Sequence, residues 1–147
     1  MFLDPKAHAA KYEAMGHRDI RVLEAGASDG ALLITIERKV DAEVPAIARK
    51  FIRPTSTVTS TDRWAEEADG VRTGRSTLDV KGVPISSSAV ATLSPDLAGT
   101  GCDYKIVLSV SLKIPLLGGK IVGALEPQLV EEIEAEFRAC ESWLADH

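Results

Sequence analysis

The chain has 147 residues, of which 45% are hydrophobic but only seven are aromatic, and a formal charge of −5. This length suits a single domain, residues 1–147. No apolar run approaches the ~18 residues of a membrane span, no charged start precedes an apolar block, and two cysteines are too few for a disulfide scaffold. A soluble, cytoplasmic, aliphatic-cored domain is therefore expected.

Asp4-Pro5 is a helix start, an N-cap followed by proline at the first helical position, and Gly16 is the stop, so a helix over Lys6–Met15 follows. Ala7, Ala10 and Ala14 predict a small-residue face for close packing. Next come a strand over Ile20–Ala25, the turn Ser28-Asp29-Gly30, and a strand over Ala31–Val40. In the latter, Leu32, Ile34, Ile36 and Val40 alternate with Leu33, Thr35, Glu37 and Lys39, a half-buried strand entered through an Asp-Gly hairpin turn. Val44–Arg53 is amphipathic and helical in character, with Pro54 ending it.

Thr55–Glu66 is rich in Thr and Val and carries Trp64; Asp69-Gly70 turns it into Val71–Val80, and Gly82 and Pro84 precede Ile85–Leu93. A loop with Pro95, Gly99 and Gly101 leads to Tyr104–Ile114. There Tyr104, Ile106, Leu108, Val110, Leu112 and Ile114 share one face. Six strands joined by short loops predict an antiparallel meander with one wet face.

Leu125, Leu129, Ile133, Phe137, Cys140 and Leu144 form one apolar stripe at helical spacing. Either this helix starts at Pro127, or a turn from Gly119 continues through it with a kink. Residues 126–147 hold seven acids against Arg138, which reads as the solvated face of that helix. The remainder is close to charge balance. No basic stripe with interleaved aromatics points to nucleic acid, and nothing calls for stable membrane insertion.

A twisted sheet crossed by one helix leaves a gap lined by aliphatic side chains. That gap is either a small-molecule pocket or is filled by Leu, Ile and Val.

Taken in order, Asp4-Pro5, Glu37-Arg38-Lys39-Val40, Trp64 after a Thr-rich strand, Lys81-Gly82-Val83-Pro84 and Lys113-Ile114-Pro115-Leu116-Leu117-Gly118-Gly119-Lys120-Ile121 carry a resemblance. Over nearly its whole length the chain resembles the START-like (SRPBCC) helix-grip superfamily, and more closely a bacterial START-like family of unknown function. The resemblance implies an α+β fold, an antiparallel sheet of about six strands wrapped around a long C-terminal helix. It also implies a cavity for lipid-like or polyketide-like ligands, without implying catalysis. Family members begin with a strand that borders the last one, and Met1-Phe2-Leu3 is too short to supply it. The edge of strand 104–114 is then expected to be covered by the termini or by a second copy, as a homodimer.

Candidate chemistry is sparse. Arg38 shares the parity of Leu32, Ile34 and Ile36, and Asp62 and Trp64 that of Val58 and Ser60, so a bidentate Arg38–Asp62 pair is expected on the covered face. Arg38 would then anchor a ligand carboxylate, or serve a structural ion pair. Tyr104 either offers a hydroxyl to the cavity or is a strand-edge core residue with a wet tip. The expected ligand-binding set is Arg38, Asp62, Trp64, Tyr104, Ile106, Leu108, Val110, Leu129, Ile133 and Phe137. His8, His17 and His147 show no metal-ligand spacing, Cys102 and Cys140 are expected to be reduced thiols, and Gly118-Gly119-Lys120 lacks the rest of a phosphate loop. Ile114–Gly119 reads as the hinge between strand and helix. No metal, cofactor or catalytic residue is assigned. The functions that remain are carriage of a hydrophobic small molecule or lipid, a cyclase/aromatase-type enzyme using Arg38, Asp62 and Tyr104, or a closed dimeric module.

Overall fold

A computed structural model describes residues 1–147. Helix α1 (Pro5–Ala14) is followed by strands β1 (Arg18–Ser28), β2 (Ala31–Asp41), β3 (Thr55–Glu66), β4 (Arg72–Val80), β5 (Ile85–Pro95) and β6 (Cys102–Leu112), then helix α2 (Gly118–Asp146). The strands form one antiparallel meander in the order β1-β2-β3-β4-β5-β6. This is an α+β helix-grip arrangement. No strand precedes α1, so β1 and β6 are the two edges of the sheet.

The local signals act as their chemistry requires. The Asp4 carboxylate accepts the Lys6 N–H at 2.9 Å, capping α1 with Pro5 in its first turn. At the other end, Gly16 is left-handed (φ +83°), and the Gly16 and His17 N–H groups donate to the Glu13 and Tyr12 carbonyls, a Schellman closure. Asp29 and Gly30 both have positive φ, as a two-residue hairpin turn between β1 and β2 demands. Strand β1 carries two register shifts against β2, near Asp19 and Leu23, and such bulges bend an edge strand.

Several expectations are corrected. Val44–Arg53 forms only a 3₁₀ turn at Ala46–Ala48, because prolines bracket a segment too short to pay for helix nucleation. Strand β6 ends at Leu112, and Ile114 lies beyond it. The face α1 buries is Ala7, His8, Lys11 and Tyr12, while Ala14 is exposed. Leu144 is 57% exposed, so the apolar stripe of α2 stops contributing before the helix ends.

Helix α2 runs through Pro127, which lacks the N–H that would bond the Gly123 carbonyl. Its first residue must be glycine: a Cβ on Gly118 would lie 2.2 Å from the Leu112 carbonyl oxygen. Ile114 and Leu117 pack at this junction, whereas Leu116 is left-handed (φ +66°) and exposed.

The core is divided. Ala48, Leu112 and Ile121 form one cluster where α2 begins; Phe2, Leu32, Trp64, Ala91 and Cys140 form another near its far end; Tyr12, Ile34 and Ile36 form a third under α1. Trp64 stacks on Phe2 (centroids 4.4 Å apart) and lies over Gly74, its partner on β4. A Cβ there would meet the indole at 2.6 Å. Gly74→Ala is therefore expected to cost about 1–3 kcal/mol through overpacking, read as a lowered midpoint in urea unfolding.

Candidate functional site

Between its two seats, α2 stands over the covered face of the sheet. The buried residues of α2 are Gly118 and Ile121 at one end and Ala139 and Cys140 toward the other. Leu129 and Ile133, in between, are only half-buried. Under them lies a cleft of about 250 Å³. Leu129 and Ile133 of α2 and Ile106, Leu108 and Val110 of β6 give it an apolar wall, and Arg38, Ser60, Asp62, Tyr12 and His17 give it a polar one.

The polar wall is built from two hydrogen-bonded chains on either side of Tyr12. In the first, Arg38 of β2 donates from Nη1 to Ser60 Oγ (2.8 Å) and from Nε to His17 Nδ1 (3.2 Å). Because His17 accepts at Nδ1, its proton sits on Nε2, which donates to Glu132 of α2 at 3.2 Å. The guanidinium also lies over the Tyr12 ring, 3.8 Å from its centroid, and the same ring stacks on His17. Arg38 is only 5% exposed, and its compensation is indirect: Glu132 reaches it through an imidazole.

In the second chain, the buried Lys11 ammonium lies 3.2 Å from Glu136 Oε1, which also accepts the Tyr104 hydroxyl at 2.7 Å. Burial opposes charge on Lys11, but Tyr12, Glu136 and Asp62 around it overcome that and hold its pKa above the usual lysine range. Burial would likewise raise Glu136; the Lys11 charge and the Tyr104 hydroxyl prevail and hold it below the usual carboxylate range. Burial and the adjacent Glu136 carboxylate push the Tyr104 phenol upward, so it remains a donor. His8 donates from Nε2 to the Phe2 carbonyl at 2.9 Å, and burial followed by the Lys11 charge holds its pKa below the usual histidine range.

The expected Arg38–Asp62 pair is not formed. Both side chains face the covered side, but Asp62 lies opposite Ile34 and Arg38 opposite Val58, four residues apart along β3. At ~3.3 Å per residue that is about 13 Å of strand. Arg38 reaches Ser60 instead, and Asp62 lies beside the His8 imidazole, whose Nδ1 is 4.0 Å from Oδ2.

Of the ten expected ligand-binding residues, Arg38, Asp62, Ile106, Leu108, Val110, Leu129 and Ile133 line the cleft. Trp64, Tyr104 and Phe137 do not: Trp64 packs in the Phe2 cluster, and Tyr104 meets Phe137 edge-on while its hydroxyl goes to Glu136. His8, Lys11, Tyr12, His17, Ser60, Glu132 and Glu136 were absent from that set. Spacing held the signal for some of them. His8, Lys11 and Tyr12 share one face of α1, and Glu132 and Glu136 fall beside the apolar stripe rather than opposite it. The acidic run is thus not wholly a solvated face, since the Glu136 side chain is only 21% exposed. Both cysteines are free thiols; burial pushes that of Cys140 up to about 11, which leaves it unreactive.

A sheet gripping a long helix over a small cleft, with charged side chains buried in one wall, defines a class of helix-grip domain. Within that class, a family described as "Protein of unknown function (DUF2505)" matches residues 1–144, and the chain belongs to it. An uncharacterized protein of Mycobacterium tuberculosis (strain H37Rv) is 22% identical over 129 residues, covering 87% of this chain and 74% of the relative. An uncharacterized protein of Mycobacterium bovis is similar to the same extent. No helix of the chain is long and apolar enough to cross a membrane.

The depressed Glu136 pKa fixes a pH dependence. A carboxylate whose pKa falls on folding adds stability above its ordinary value near 4.5, and that stability is lost as pH drops through the lower folded value. The lowered His8 acts in the same direction, its cost appearing as pH falls below 6.5. Glu136→Gln should lower stability at neutral pH by about 3 kcal/mol, since it breaks the buried pair and takes the nearest carboxylate charge from Lys11. It should also flatten the acid limb of a stability-versus-pH profile measured by denaturant titration.

Proposed function

We propose that the chain binds and carries a small hydrophobic or amphipathic molecule in the cleft between the sheet and α2. The observation that carries this reading is the division of the core: α2 is seated at both ends, and its middle spans a partly apolar cleft where a packed domain would place its largest side chains. The order helix, six-stranded meander and long helix is also that of START-like domains. The resemblance supports a ligand held between these elements.

A space of 250 Å³ lies just below the usual range for drug-sized ligands. That size suits one short alkyl chain or ring rather than a two-chain lipid. Catalysis of the cyclase type is the weaker reading, because the Tyr104 hydroxyl donates to Glu136 and is not directed at the cleft.

Native mass spectrometry of the protein isolated from its own host tests the proposal. The expected result is a small-molecule adduct on the wild-type chain that is lost in Ile133→Trp, a substitution that fills the cleft. A bare wild-type mass under the same conditions, with no small molecule recovered on denaturation, would overturn it.

A further inference from the structure

The polar wall of the cleft contains one carboxylate to which no side chain donates a hydrogen bond. Asp62 is 4% exposed and lines the cleft. Lys11 is committed to Glu136, and Arg38 to Ser60 and His17; no protein donor reaches the Asp62 carboxylate. A buried carboxylate without a partner is costly, so its surroundings indicate what it is meant to meet.

The donors around it are not bonded to it, the Ser76 hydroxyl of its β4 partner included. His8 gives its Nε2 proton to the Phe2 carbonyl, which leaves Nδ1 as an acceptor; that atom is fully buried, unpaired, and 4.0 Å from Asp62 Oδ2. Nδ1 is sealed off from the cleft, so the acceptor a ligand can reach there is Asp62. A hydroxyl would donate to it but leave its charge in place. A primary ammonium donates to it and also neutralises that charge.

Charge points the same way. The cations of the two chains are Lys11 and Arg38, and the carboxylates are Asp62, Glu132 and Glu136, so the wall carries one net negative charge. An anionic ligand would add to the imbalance, and a cation removes it. Arg38, the expected anchor for a carboxylate, already has its balancing charge through His17.

We propose that the cleft selects a primary aliphatic amine, its ammonium held by the Asp62 carboxylate and its alkyl chain laid along Ile106, Leu108, Val110 and Ile133. This rests on the cleft being a binding site, and adds the chemical class of the ligand.

Isothermal titration of the full chain with n-octylamine, 1-octanol and octanoate at neutral pH compares a cation, a neutral donor and an anion of equal chain length. Octylamine should bind at least ~10-fold more tightly than either of the others, the equivalent of one well-made charge contact. Asp62→Asn, which keeps the side-chain shape, should erase that preference, and an unchanged far-UV circular dichroism spectrum of the variant reports an intact fold. Octanol or octanoate binding as tightly as the amine, or an amine preference that survives Asp62→Asn, would overturn the amine assignment and leave the carrier reading standing. No binding by any of the three, with no adduct in the native mass spectrum, would overturn both.

Discussion

A straight helix laid on a twisted sheet cannot touch all of it, and here α2 meets the sheet at two seats. One is the approach of Gly118 to the Leu112 carbonyl, with Ile121 buried behind it. The other is the packing of Cys140 with Phe2 and Trp64. Everything else follows from this two-point support. The core divides because the side chains that α2 and β6 bring to the middle are aliphatics of ordinary size, while the long side chains there are engaged with one another along the polar wall. The scarcity of aromatics matters in this respect: Trp64, Phe2 and Tyr104 are gathered at one end, and Tyr12 is held between Arg38 and His17.

The buried charges tie three elements together at the same place. Glu132 and Glu136 lie one turn apart on α2; each takes a proton donor from the α1 segment, His17 and Lys11, and the chains continue to β2 and β6 through Arg38 and Tyr104. Tyr12 separates the two, its ring 3.8 Å from the Arg38 guanidinium and 4.6 Å from the Lys11 ammonium. Burying such groups gains little stability compared with apolar side chains of the same size. Their effect is positional, because each pair fixes the distance between α1 and α2 and thereby the height of the cleft.

The architecture was largely legible from residue patterns. The Asp-Gly turns, the alternation in β2, β3 and β6, and the Asp4-Pro5 start are local signals, and local geometry alone decides them. Strand parity correctly turned Arg38 and Asp62 to the covered face. It could not pair them, since parity is blind to position along the strand and the hairpin register sets them four residues apart. The second chain was hidden for a different reason. Helix α1 buries His8 and Lys11 beside Ala7 and Tyr12, a face without hydrophobic periodicity, so burial there depends on carboxylates contributed by β3 and α2. Such long-range compensation has no signature within the helix itself. The resemblance to START-like domains describes the same element order, and family membership rests on the match over residues 1–144.

Pro127 gives α2 an uneven stiffness. A helix resists bending through its ladder of hydrogen bonds, and this one lacks a rung between Gly123 and residue 127, between its two seats and just before Leu129 enters the cleft wall. Bowing is easiest at that point, because no further bond must break. The roof of the cleft can thus hinge between the Ile121 seat and the Glu132 and Glu136 ties, like a jointed beam on fixed bearings, shifting Leu129 while both supports stay in place.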